Sequence, residues 1–219
     1  MEHGAEAYGL WSVVMVNTLI ILIFVISFFR PRTRRDWRTL GAFTAFVVAL
    51  FSEMYGFPLT IYLLSGWLGS RYPEVNWLSH NSGHILQTLL GWQGDAHFGP
   101  LHLISTLLII GGLFLLASSW KVLLRAQQNN SLAISGPYDK MKHPQYAAFM
   151  MIMLGFLIQW PTLPTLVMFP FLVWLYVSLA KREERETLAA FGEPYIRYAN
   201  KRLRFFPRFG VDNEAMGVL

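Results

Sequence analysis

Cysteine is absent from this chain of 219 residues. Its absence excludes a disulfide framework, a thiolate zinc site and a cysteine nucleophile. Charge is scarce too: Asp, Glu, Lys and Arg make up 14% of the residues, against roughly 25% in a soluble domain. No internal repeat and no low-complexity tract is present. What fills the gap is apolar, 54% of the chain, much of it in long uncharged runs. Residues 8–29 hold no charge over 22 positions, enough for one helix across a bilayer core of about 30 Å. Residues 101–120 repeat the pattern. The first run follows acidic Glu2 and Glu6 and outlasts a typical signal core, so it reads as a retained helix.

The formal charge of +5 would suit nucleic acid, but the basic residues flank the apolar spans. They point to anionic lipid headgroups and exclude a nucleic-acid partner. The expected fold is an all-α integral membrane protein with about five transmembrane helices: 8–29, 40–64 with a kink at Pro58, 101–119, 145–160 and 163–180. The last two form a helical hairpin around Pro161 and Pro164. A carboxyl-terminal amphipathic helix is expected to cap the inner face. In this five-span arrangement 17 of the 18 Lys and Arg residues fall on one side, Arg71 being the exception. That asymmetry puts the amino terminus outside and the carboxyl terminus in the cytoplasm, as in a bacterial or archaeal inner membrane. Two regions follow. Residues 1–100 carry the first two spans and an outer connection rich in Trp67, Tyr72, Trp77 and Trp92, suited to an interfacial helix or cap. Residues 101–219 carry the other three spans and the tail.

Two polar segments carry candidate chemistry. Gly136-Pro137-Tyr138 and Lys142-His143-Pro144-Gln145-Tyr146 stand just before the fourth span. Pro144 pre-sets a first helical turn, so His143 and Tyr146 sit at a helix mouth where Lys142 also favours an anion. By themselves these residues read first as a basic turn at the membrane edge with an interfacial tyrosine. Glu183-Glu184, then Phe191-Gly192, Tyr195 and Tyr198, follow the fifth span. Paired carboxylates there suit a cationic or hydroxyl-bearing ligand, or else a solvated helix with i,i+3 and i,i+4 ion pairs.

Taken together and in this order, the two segments resemble the isoprenylcysteine carboxyl methyltransferase family and the wider group of membrane phospholipid and thiol methyltransferases. The resemblance covers residues 132–207. It implies an S-adenosylmethionine-dependent methyltransferase whose hairpin and flanks enclose the cofactor, and whose acceptor is a lipophilic small molecule or a lipid-anchored group. It assigns Tyr138, Lys142, His143, Tyr146, Glu183, Glu184, Tyr195 and Tyr198 to the cofactor site. No residue is given a catalytic role, because methyl transfer needs alignment more than a nucleophile. Two positions depart from the family pattern: Lys142 replaces an arginine, losing its bidentate fork, and Ala148 replaces a glycine.

Glu53 lies within the second span, where a carboxylate is costly unless turned inward. It is expected to line an acceptor path that opens sideways into the bilayer, or else to pair with a neighbouring backbone or side-chain donor. His80, His84, His97 and His102 cluster in the outer connection and at the start of the third span. Four histidines could ligate haem or a metal, giving the alternative of a non-enzymatic binding protein. They lie away from the expected donor site, so no metal is assigned.

Overall fold

The computed structural model describes residues 8–29, 34–92 and 94–207. Arg30 and Arg32 of the basic segment lie outside them. All regular elements among the described residues are helical; the only strand-like feature is an isolated parallel bridge between Met141 and Leu203. Helix α1 (Trp11–Phe29) is followed by α2 (Arg34–Phe51), which runs into a π-helical turn at Ser52–Gly56.

The second expected span ends there. Pro58 brings no amide hydrogen, and Phe57 is extended (φ −126°, ψ 116°), so the helix stops where a kink was expected. Helix α3 (Leu59–Arg71) starts afresh. Glu53 bridges the break, its Oε2 accepting the Thr60 amide at 3.0 Å. A carboxylate at this depth thus satisfies a first-turn N–H that the helix itself leaves unpaired. The same turn receives α1: the Gly9 and Leu10 amides donate to the Gly56 and Tyr55 carbonyls at 2.8 and 2.7 Å.

The connection that follows α3 is a packed cap. It holds the short α4 (Ile85–Leu89), and the buried Gln87 ties it together, donating to the Ala96 carbonyl at 2.9 Å and accepting from the His102 amide at 3.0 Å. Trp77 is buried against Ile61 and Leu68, unlike the exposed Trp67 and Trp92.

Helix α5 (Pro100–Gln128) is longer than the expected 101–119. Then come the single turn α6 (Pro137–Lys140) and α7 (Pro144–Gln159), with Pro144 in its first turn as expected. Helix α8 (Leu163–Phe191) carries Thr162 as its cap, the Thr162 hydroxyl accepting the Thr165 amide. It overruns the expected 163–180 by three turns, so Glu183 and Glu184 ride on the same rigid rod as the apolar span. The amphipathic piece is α9 (Glu193–Asn200), with Pro194 in its first turn.

By length and composition three helices can cross a membrane: Asp36–Gly56, Pro100–Gln128 and Leu163–Phe191. The remaining two expected spans are the shorter apolar helices Trp11–Ser27 and Pro144–Gln159. The chain is an integral membrane protein.

Close packing on α5 anchors α7, the first arm of the hairpin. A Cβ at Gly112 would meet Ile152 Cγ1 at 2.6 Å and the Ala148 carbonyl at 3.2 Å; one at Gly155 would meet the Ser105 carbonyl at 2.9 Å. Small residues permit this approach, as is common between membrane helices. Ala148 is fully buried there, with Gly112 of the facing helix packed against its carbonyl. The main core joins α2, α7 and α8 through Phe43, Phe149 and Tyr176, with ring centroids 5.0 and 5.8 Å apart.

Candidate functional site

Two motif glycines shape the backbone around the site. Gly136, before α6, has φ +60° and ψ −128°; Gly192, between α8 and α9, has φ +57° and ψ −130°. A residue with a Cβ is strained in this region by about 1–3 kcal/mol. The sharp turns they allow bring α6, the start of α7, the end of α8 and α9 to one place.

There the two motifs meet. His143, buried at 6% exposure, lies between both carboxylates, with Nδ1 3.3 Å from Glu183 Oε2 and Nε2 3.2 Å from Glu184 Oε1. Tyr146 donates to Glu183 Oε1 at 2.6 Å and stacks on the imidazole with a centroid separation of 5.7 Å. Lys142 Nζ is 3.4 Å from Glu184 Oε1. The Tyr198 hydroxyl donates to the Tyr138 carbonyl at 2.8 Å, holding α9 over α6. Tyr138 is buried and donates its own hydroxyl to Gln145. Burial, reinforced by the nearby Glu183 charge, pushes that hydroxyl's pKa well up, so it stays a neutral donor.

Burial alone would push the His143 pKa down, but hydrogen bonds to Glu183 and Glu184 more than offset it and hold the group above its ordinary 6.5. A raised folded-state pKa contributes stability that is full below the ordinary value and is lost as pH rises through the raised one. Thermal stability of the purified protein should therefore fall as pH climbs above 6.5, and His143→Gln should flatten that part of the profile. A wild-type profile with no loss on the alkaline side would contradict the pairing.

A cavity of about 340 Å³ opens beside this cluster. Six of the sequence-predicted residues line it: Tyr138, Lys142, His143, Glu183, Tyr195 and Tyr198. Tyr146 and Glu184 stand behind the lining, bonded to residues that form it. The opposite wall comes from the end of α5 and the loop after it, including Leu123, Ala126, Gln127 and Asn130. Nothing in the motifs pointed to that wall. Gln145, inside the first motif, also lines the cavity. Its place in the motif was the available signal, masked by its neutral chemistry.

Arg204 is the other residue that the motifs left out. The Lys142 and His143 amides donate to the Leu203 and Arg204 carbonyls, both at 2.9 Å. This clip delivers the Arg204 guanidinium to Glu184 as a fork, Nε to Oε1 and Nη2 to Oε2, each 2.8 Å. An arginine in a tail with eight basic residues is invisible as an individual until the backbone pairing is seen.

Glu53 is not brought to this place. The pocket it lines includes Trp160, Pro161 and Thr162, at the far end of α7 from His143. A helix of 16 residues separates them by roughly 24 Å. The space there is about 10 Å³, room for about one water. His84, His97 and His102 pack together on the same side, ring centroids 5.2–5.4 Å apart. His84 Nδ1 is 2.8 Å from the Gln159 carbonyl and His97 Nδ1 is 2.8 Å from Asp95 Oδ1. The His80 side chain lies outside the described residues. Among those described, no group of three or more His, Asp or Glu side chains is arranged to hold a metal ion, and nothing there favours the haem or metal alternative.

Comparison with known proteins follows the same outline. No curated protein and no solved structure gives a match. A family model does, over residues 100–190, from the first residue of α5 to the last turn of α8. The α5 wall, the hairpin, the Lys142–His143 segment and both glutamates fall inside that stretch, whereas α9 and Arg204 lie beyond it. The model that residues 100–190 match is that of the isoprenylcysteine carboxyl methyltransferase (ICMT) family.

Proposed function

We propose that the protein is a membrane methyltransferase that takes its methyl group from S-adenosylmethionine and passes it to a lipophilic acceptor. The observation that carries this reading is the convergence of both motifs on one cavity of about 340 Å³, most of whose lining, Glu183 and His143 included, falls within the stretch that matches the family model. Pockets for small molecules run to about 300–1,000 Å³. The charges lining the cavity complement a zwitterionic donor. Lys142 and His143 offer cations to a carboxylate, Glu183 offers an anion to an ammonium or a sulfonium, and Leu123 and Ala126 offer an apolar wall to a base.

When bound, S-adenosylmethionine supplies an activated methyl group on a sulfonium. The chain's own contribution is to orient the donor by its charged end, to exclude water, and to hold the Glu183 side chain in place through its contacts with Tyr146 and His143. Alignment in a dry pocket is a sufficient source of rate for such a transfer. Isoprenylcysteine-like carboxylates, amine lipids and lipophilic thiols are the acceptor classes in view.

The acceptor reaches the site from the bilayer, in this account, along the apolar groove between α1 and α2 that Leu22, Ile26, Trp37 and Ala49 line. Glu53 has no place on that groove. Its position supports a structural role, bridging the break before α3. The test is a panel of lipophilic acceptors assayed with labelled donor. A member of that panel should accept label, and Ala49→Trp should raise its KM severalfold while leaving donor affinity alone. If no lipophilic acceptor is labelled, or the groove variant changes donor and acceptor binding alike, the acceptor assignment is wrong.

The membrane orientation belongs to the same proposal: amino terminus outside, α9 and the motif loop in the cytoplasm. Because the chain has no cysteine, single cysteines at the exposed Ser70 and Ser131 give a clean readout. Impermeant thiol reagent applied to intact cells should label the first and spare the second. The reverse pattern, or equal labelling, overturns the orientation.

A further inference from the structure

We infer that Glu184 is a positioning residue, which through its fork with Arg204 straps the carboxyl-terminal tail across the motif loop and fixes His143 at the cavity wall. The inference deepens the donor-site reading above and rests on it for its binding arm. Four observations lead here. Glu184 does not line the cavity, whereas Glu183 one residue earlier does. Both Glu184 oxygens are engaged by Arg204, and Oε1 also faces His143 and Lys142. That leaves little of the carboxylate for a ligand. The guanidinium arrives by a backbone pairing that starts at the motif itself, Lys142 and His143 donating to residues 203 and 204. Finally, the strap's other fastenings are polar as well: Arg202 pairs with Asp139, and Tyr198 bonds the Tyr138 and Met141 carbonyls.

The two neighbouring glutamates thus divide the work. Glu183 faces the cavity and Glu184 faces the tail. A rod-like α8 makes this possible, because adjacent helical positions point about 100° apart. A bidentate guanidinium–carboxylate pair also fixes orientation in a way that one lysine contact does not. Held by the fork, the tail presents its carbonyls to the two amides that precede α7, and His143 is left with its ring between the carboxylates.

The test compares Glu184→Gln, Arg204→Gln, Arg204→Lys and the Glu184→Gln/Arg204→Gln double variant with wild type in full-length protein. Hydrogen exchange over residues 195–204, measured without any ligand, should speed up in both Gln variants by a similar factor. The double variant should be no faster, since residues acting through one contact are not additive. Arg204→Lys should recover part of the protection.

Binding of S-adenosylhomocysteine should weaken severalfold in each Gln variant, again without added loss in the double. The alkaline midpoint of that binding should move in opposite directions: down in Glu184→Gln, which takes a carboxylate from His143, and up in Arg204→Gln, which removes a nearby cation. Unchanged tail exchange in both variants would overturn the strap. So would a loss of affinity confined to Glu184→Gln, because that marks a direct ligand contact. If wild type binds no S-adenosylhomocysteine at all, the donor-site reading fails, and the exchange arm still decides whether the fork holds the tail.

Discussion

Glu183→Ala should weaken S-adenosylhomocysteine binding roughly ten- to a hundredfold, the scale of one lost charged hydrogen bond at about 1.5–3 kcal/mol. His143→Ala should do the same. Both side chains line the cavity and contact each other at 3.3 Å, so their effects should overlap when combined. The double variant should fall well short of the product of the singles. Calorimetry on purified, folded protein measures this directly. Two variants that keep full affinity would remove the donor from this cavity. The expected size depends on burial: His143 is at 6% exposure, where water does little to replace a missing partner, whereas an exposed ion pair such as Arg182–Glu186 should matter far less.

The second large effect is on stability. Gly155→Val should destabilise the protein by at least about 1–3 kcal/mol, the usual cost of overpacking a filled interior. Its first added carbon would lie 2.9 Å from the Ser105 carbonyl and 2.8 Å from Ile109 Cγ1. The first of these is α5 backbone and cannot swing aside, so α5 and α7 must separate. Because α5 also supplies one wall of the cavity, donor affinity should fall along with the melting temperature. Gly66→Val is the control, since nothing lies within 4 Å of a Cβ there. Thermal unfolding in detergent checks both. A Gly155 variant as stable as the control would mean that the α5–α7 contact is looser than the structure has it.

Much of this was legible in the sequence, and for identifiable reasons. Uncharged runs locate the apolar helices because bilayer thickness fixes their length, and prolines mark helix starts because a missing amide is tolerated there. Both readings held for α7, and the proline reading held at the starts of α8 and α9 as well. Helix ends were harder to read. Charge marks where an apolar run ends and not where a helix ends, so α5 and α8 continue into polar sequence. At Pro58 the local rule was right about disruption and silent about degree. A kink became a break because Glu53 was there to take the Thr60 amide.

The site was legible residue by residue only where the motif residues carry charge or an aromatic ring. Its far wall and Arg204 were not, since both arrive through long-range packing. Glu53 shows the converse: a carboxylate in an apolar span attracts a functional reading, yet the helix break gives it work of its own.

The central claim is that one cavity, built by both motifs, takes a sulfonium methyl donor. Equilibrium binding of labelled S-adenosylmethionine to the purified protein in lipid nanodiscs tests it most directly. The account predicts saturable binding of about one donor per chain, displaced by S-adenosylhomocysteine and weakened by Glu183→Ala but not by Glu53→Gln. Absence of saturable binding by correctly folded protein, or binding that Glu183→Ala leaves intact, would contradict it.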